Sequence, residues 1–339
     1  MGNREHWIQT GCLNLPHSSL FPVLTHSPPS MSLARTLLLQ AADSQWLANQ
    51  MSRRAFARRA VRRFMPGEEV DAALEAARRL ASLQLGSVVT QLGEGLTSLA
   101  DAEAVRDHYL AVCDRIRRAG LATWISIKPT QLGLDLSPTA CLDHLFRLAE
   151  LVESIGSSLW IDMEDSRYVD RTLELYRRVR AKHQRVGVCL QSYLFRTPND
   201  LATLLPIKPW IRLVKGAYAE PATVAYPAKR DSDLAYYDLA LKLLDAAAKG
   251  DVLPVFGTHD LTLLNRIVAA AGERNVRDSA YEIHMLYGIR SADQRALAAG
   301  GHTVRTLISY GEAWFKWYMR RLAERPANVW FALKSMVGS

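Results

Sequence analysis

Between residues 87 and 308, short apolar, β-branched runs alternate with longer stretches of helical periodicity. The short runs are SVVTQL (87–92), TWISIK (123–128), LWIDM (159–163), VGVCLQ (186–191), IRLVKG (211–216), LPVFGTH (253–259), YEIHML (281–286) and TVRTLI (303–308). Helical patterns separate them over Asp101–Arg118, Pro138–Ile155, Val169–Lys182, Ser232–Ala248 and Asp260–Ala271. Parallel strands need a crossover between them, and a helix is the usual one. Consecutive β-then-α units therefore predict an α/β fold, a (β/α)8 TIM-like barrel rather than an open doubly wound sheet.

Upstream, the helical pattern of Ser32 to Arg63 is broken by MPGEE and resumes from Val70 to Leu83. The expected organisation is a disordered extension over 1–31, a helical region over 32–85 and a barrel domain over 86–339. A final helix, Glu312 to Glu324, and an apolar tail over Asn328–Val337 complete the chain.

In such a barrel the strand bodies fill the core and the C-terminal strand ends carry the chemistry. Successive runs here end on polar groups: Lys128, then Asp162 and Glu164, then Gln191, Arg212 with Lys215, and Thr258 with His259. One polar strand end means little, but a succession of them describes a ring of functional groups around one mouth. Lys128 and Asp162 fall on neighbouring strands and are expected to pair. Glu282 and His284 are interspersed in the seventh run.

Each feature also has a plainer reading. The Lys128–Asp162 pair can be structural, Asp260 can be a helix N-cap, and a lysine before Gly-Ala at 215–217 is weak evidence alone. Arg320 and Arg321 sit near Arg325, so spacing alone makes them a basic helix face. Facing the mouth, two adjacent guanidinium forks would clamp a carboxylate. The net charge of +8 owes much to RRAFARRAVRR (53–63), a solvated helix face or an element attracted to anionic lipid. Nucleic-acid signatures are absent. His259 has no HxH or HxxxH companion, and the four cysteines form no CxxC pair, so no metal site is expected. No run is apolar enough for a membrane span and no secretory signal is visible, which points to the cytoplasm. The absence of G-x-G-x-x-G after any strand argues against a Rossmann dinucleotide site.

Taken in order, SIKPTQLGLDLS (126–137), WIDMEDS (160–166), GVCLQSYLFRTPNDL (187–201), IRLVKGAYAEP (211–221), VAYPAKR (224–230), FGTHD (256–260), YEIHMLYGIR (281–290), VRTLISYG (304–311) and WYMRRLAERPANV (317–329) resemble the bacterial monofunctional proline dehydrogenase family. The resemblance implies a distorted barrel holding FAD non-covalently, and oxidation of L-proline to Δ1-pyrroline-5-carboxylate with electrons passed to a membrane quinone. It implies catalytic roles for Asp162 and Arg212, the latter near the flavin N5. It places Lys128, Tyr218, Leu286, Leu307, Trp317, Arg320 and Arg321 around the substrate, the arginine pair on its carboxylate. It gives Met163, Gln191, Arg212, Lys215, Gly216, Ala217, Thr258, His259 and Glu282 to the cofactor. Peripheral contact with the inner membrane through the basic stretch is compatible with such an acceptor.

Positions near the presumed substrate depart from the family. Leu307 stands where a tyrosine packs on the substrate ring, Trp317 replaces another tyrosine, His284 replaces glutamine, and Pro129 follows Lys128. These changes admit a modified proline or another cyclic or secondary amino acid as substrate, or an inactive barrel acting as a binding protein. A metal- or phosphate-dependent barrel lyase leaves the KGAY, THD and RR matches unexplained. The substitution Leu307→Tyr is expected to raise turnover of L-proline relative to substituted prolines; an unchanged preference in steady-state assays would remove Leu307 as a specificity determinant.

Overall fold

The computed structural model describes Gln50 and residues 61–93, 96–315 and 317–319. The expectations placed on 1–31, on most of the upstream helix, on the basic stretch before Val61 and on the chain from Arg320 onward lie outside the described residues. Arg320 and Arg321 are among these.

Eight strands form one closed parallel barrel: β1 (Gly86–Gln91), β2 (Thr123–Ile127), β3 (Leu159–Ile161), β4 (Val186–Gln191), β5 (Trp210–Val214), β6 (Leu253–Gly257), β7 (Glu282–Leu286) and β8 (Val304–Tyr310). Closure comes from β1 pairing with β8 along its whole length, from Gly86 opposite Arg305 to Gln91 opposite Tyr310. Around it run α1 (Val70–Ala81), α2 (Leu99–Arg118), α3 (Pro138–Ser154), α4 (Val169–Arg180), α5 (Thr197–Leu204), α6 (Lys229–Ala247), α7 (Leu261–Glu273) and α8 (Ser291–Ala299). The expected (β/α)8 barrel is present, with strand positions within a few residues of those read from the sequence.

The helices form where local chemistry starts them. Ser98 and Asp101 exchange hydrogen bonds as a capping box at the head of α2. Ser137 and Asp260 accept backbone N–H groups at the heads of α3 and α7. Their inner faces follow the helical period, as in Cys141, Leu145, Leu148 and Val152 of α3, all buried on the barrel.

The barrel is distorted at its seam. Helix α1 packs against β1 and β8, the place a helix following β8 takes in a regular barrel. The chain leaving β8 turns at Gly311 (φ +114°), where a Cβ would sit 2.9 Å from the Leu92 carbonyl oxygen. Its helical residues Trp314, Phe315 and Tyr318 then pack with Val61, Phe64, Met65 and Leu92 in a second, smaller core beside the C-terminal end of β1.

The barrel interior is unusually aromatic. Branched aliphatic side chains usually fill such barrels, but here Trp124 and Trp160 join Val88 and Val255, with Trp210 and Leu307 packed alongside. The Trp124 ring centroid lies 6.2 Å from that of Trp160 and 5.9 Å from that of Trp210. Room for the buried Trp160 ring comes from Gly187, directly opposite on β4, where a Cβ would stand 2.6 Å from the indole. Replacing Gly187 with Ala is expected to destabilise the protein by about 1–3 kcal/mol through overpacking. Chemical denaturation checks this, and an unchanged midpoint would mean the ring has space to retreat.

Candidate active site

Alternation along a strand sends every second side chain into the barrel, so the polar groups two and four residues past Trp124 and two past Trp160 stack toward the mouth. Arg212, on β5, is buried at 4% exposure and reaches across the interior. Its Nη2 donates to Asp162 and, at 2.8 Å, to Ser126 Oγ, while Nε donates to Cys189 Sγ at 3.1 Å. The guanidinium also lies 4.9 Å from the centroid of the Trp160 ring, a distance at which the ring quadrupole attracts a cation. Ser126 completes the triangle by donating to Asp162 Oδ1 at 2.8 Å. Asp162 is therefore the partner of Arg212, two strands away, and not of Lys128 as adjacency suggested. Lys128 is half-buried just beyond β2 and forms no ion pair among the described residues.

The neighbouring carboxylate, Glu164, is buried beside Thr130, whose N–H and hydroxyl both donate to it. Burial pushes its carboxyl up despite these bonds and the nearby Lys128 charge. Gln191 donates its side-chain N–H to the Glu164 carbonyl at 2.6 Å. Its amide oxygen, like Arg212 Nη1, is buried with no partner among the described residues. Such atoms cost free energy unless something meets them, and here one acceptor and one donor remain available near the strand ends. Met163 is buried between these groups in sequence and belongs to the main core.

On the far side, Lys215 is held by Asp233 and by Asp260 at 3.0 Å, so its charge is already matched by two carboxylates. Gly216 has φ +119°, and a Cβ there would lie 2.3 Å from the Tyr193 ring, which only glycine avoids. Ala217 is exposed and Tyr218 half-buried. Thr258 accepts from the Asp260 N–H, and His259 Nε2 accepts from the Leu286 N–H at 2.9 Å, which ties the end of β6 to the end of β7. Leu286 and Leu307 face each other in register on β7 and β8. Trp317 packs on the smaller core with Phe64 and Tyr318. Among the described residues no His, Cys, Asp or Glu group is arranged to hold a metal ion.

Two expected positions belong elsewhere: Glu282, assigned to the cofactor, and His284, expected near the substrate. Glu282 opens β7 and lies at the opposite, N-terminal end of the barrel, so it is not in the ring at the mouth. It accepts from Arg305 Nε at 2.8 Å, and Arg305 in turn donates to the carbonyl of Ala122, before β2, and lies over the Trp124 ring at 3.4 Å. His284 completes this lower layer, hydrogen-bonded to Glu282 and flanked by Trp124 and Trp160.

Ser126, Cys189 and Trp160, which hold Arg212, were not among the expected site residues. The signal was available in the alternation: Ser126 stands two residues before Lys128, Cys189 two before Gln191, and Trp160 two before Asp162.

A closed parallel barrel with buried and half-buried ionisable groups gathered at its strand ends has the plan of a (β/α)8-barrel enzyme. Comparison with known proteins narrows the class. The profile described as proline dehydrogenase matches residues 73–333. Proline dehydrogenase 1 of Bacillus subtilis (strain 168) is 36% identical over 277 residues, covering 81% of this chain and 90% of that protein. The proline dehydrogenase of Deinococcus radiodurans is 34% identical over 280 residues, covering 81% and 89%. Among solved structures, proline utilization A from Bdellovibrio bacteriovorus inactivated by N-propargylglycine superposes with a TM-score of 0.74 at 21% identity, over 87% of this chain and 36% of the other. That likeness shows the fold, and this chain spans about a third of the larger protein's length. The chain belongs to the proline dehydrogenase family and is an oxidoreductase acting on a CH–NH donor.

The buried His284 gives the barrel a pH dependence. Burial pushes its imidazole down from 6.5 to about 4 against the pull of Glu282. The unfolded chain takes up that proton below about pH 6.5 and the folded one only near 4, so protons favour unfolding across that window. Stability is expected to be full above pH 6.5 and to fall by up to roughly 3 kcal/mol as pH drops to 4. His284→Gln should flatten that part of the profile in denaturant titrations, and identical slopes in both proteins would exclude His284 as its source.

Proposed function

We propose that this protein oxidises L-proline to Δ1-pyrroline-5-carboxylate, with FAD as its bound cofactor and a quinone as the onward electron acceptor. The observation that carries this reading is the Asp162–Arg212–Ser126 assembly, which leaves a buried guanidinium N–H without a partner among the described residues, in a chain of this family.

The residues present fit a flavin. Arg212 Nη1 offers a fixed donor and the Gln191 amide oxygen a fixed acceptor, and both are buried without a partner among the described residues. Met163, Gln191, Arg212, Gly216, Ala217, Thr258 and His259 are the residues that would hold it. Lys215, already matched by Asp233 and Asp260, would act with a smaller net charge than a free ammonium. FAD, when bound, supplies the acceptor for the hydride.

The chemistry removes a hydride from the ring carbon beside nitrogen and a proton from that nitrogen, leaving a C=N bond. Efficient transfer requires the carboxylate to be fixed so that the C–H bond keeps one direction. Lys128 is the cation free to meet it on the described part of the mouth, with Arg320 and Arg321 completing the clamp. Asp162, Ser126 and Cys189 keep Arg212 from moving, so its charge is oriented before substrate arrives and needs no reorganisation during the reaction. Leu286, Leu307, Tyr218 and Trp317 would pack against the ring and exclude water.

Leu307 and Trp317 favour a second reading, a proline bearing a substituent or another cyclic secondary amino acid. Anaerobic titration of the purified protein distinguishes the two. A yellow protein whose flavin absorbance bleaches with L-proline supports the first, and bleaching only by substituted prolines supports the second. Colourless protein, or flavin that no secondary amino acid reduces, would sink both. Arg212→Lys, which keeps the charge but loses the fork, is expected to slow bleaching at least about tenfold.

A further inference from the structure

Immediately after Lys128 the chain folds into a short 3-10 turn, Pro129–Leu132. Lys128 caps its start: the lysine backbone is extended (φ −101°, ψ 133°), and its carbonyl accepts the Gln131 N–H at 3.0 Å. Proline at the first position of the turn sacrifices no hydrogen bond, because an N–H there has no partner within the turn, and its ring fixes φ. Every following residue is tied to another element. The Pro129 carbonyl accepts the Leu134 N–H at 3.1 Å and the Cys141 thiol of α3 at 3.4 Å. Gln131 Nε2 donates to the carbonyls of Gln91 and Gly93, at the end of β1 and just beyond it, at 3.1 and 2.9 Å. Thr130 is gripped by both oxygens of Glu164, past the end of β3: its N–H donates to Oε2 at 3.1 Å and its hydroxyl to Oε1 at 2.7 Å. Alternation along β2 puts Lys128 on the same side as Trp124 and Ser126, the side that faces the barrel interior and its mouth.

We infer that Thr130, clamped by Glu164, is a positioning residue for Lys128, and that the clamp sets how tightly the carboxylate of a cyclic amino acid is held. The inference rests on the proposed meeting of Lys128 with the substrate carboxylate. A lysine ammonium is a point charge on a flexible four-carbon stem, so its charge alone does not place it. Ordering that stem costs free energy at every binding event, and the cost falls when the backbone it leaves from is already fixed. Thr130 carries no charge, so removing its hydroxyl loosens the base of Lys128 without changing the net charge of the mouth. Arg212 stays held by Asp162, Ser126 and Cys189, none of which lies on the turn.

The test is calorimetric titration of the full-length holoprotein with cyclopentanecarboxylate and with cyclopentanecarboxamide. Both keep the five-membered ring and lack its nitrogen, so neither is oxidised to an imine, and only the first is an anion. Thr130→Val, which removes the hydroxyl at nearly constant shape, is expected to weaken carboxylate binding about fivefold and leave the carboxamide unmoved. Thr130→Ser keeps the donor and should bind both ligands as the unaltered protein does. Pro129→Gly, which loosens the same turn from its other side, is expected to weaken the carboxylate about threefold. In a Lys128→Met background Thr130→Val should have no further effect on either ligand, because the residue it positions is gone. A loss that persists in that background, an equal loss on both ligands, or an unchanged carboxylate affinity would each overturn the inference. If the unaltered protein binds the carboxylate no more tightly than the carboxamide, or Lys128→Met keeps that preference, the reading of Lys128 fails first and the role of Thr130 falls with it.

Discussion

A guanidinium withdrawn from water inside a barrel dictates much of what surrounds it. Arg212 cannot be buried without an opposite charge and acceptors for its fork, and removing either would leave an uncompensated charge in a low-dielectric interior. Asp162 supplies the charge, Ser126 and Cys189 the acceptors, and Trp160 an electron-rich face. Those demands reach into the scaffold. Trp160 needs the space above Gly187, and the indole layer below needs Arg305, Glu282 and His284 to complete it. The strand ends carry chemistry because the layers beneath them are rigid.

The barrel therefore holds two buried ionic layers, separated by aromatic rings and serving different ends. The upper one faces the mouth and keeps a donor available. The lower one is closed: Glu282 is met by both Arg305 and His284, and Arg305 also caps the carbonyl of Ala122. A carboxylate at the start of a strand and a carboxylate at its end look alike in sequence, yet one plugs the barrel floor and the other lines the mouth.

That contrast shows what was readable beforehand. The strands and their order followed from the alternation of short β-branched runs with amphipathic helices, because that period is a local property. The ring of strand-end groups was readable for the same reason. Three things were not. Asp162 pairs across the barrel with β5, and neighbour-based reasoning sees only adjacent strands. Ser126 and Cys189 carry no charge, so only the two-residue alternation could have exposed them. The seating of α1 on the β1–β8 seam depends on long-range packing that no window of sequence contains. The arginine pair that the motif order singled out lies beyond the described residues.

The seat of α1 has a consequence for how the chain is made. Helix α1 ends at Ala81, but the seam it covers does not exist until β8, which begins at Val304, has joined β1. During synthesis from the N-terminus, its apolar face of Ala73, Leu74, Ala76 and Ala77 must wait while almost the entire barrel is produced. Helix α1 is thus made early and docks late. Until then, the open edge of β1 and the uncovered face of α1 are exposed together, the kind of surface that attracts chaperones or neighbouring chains.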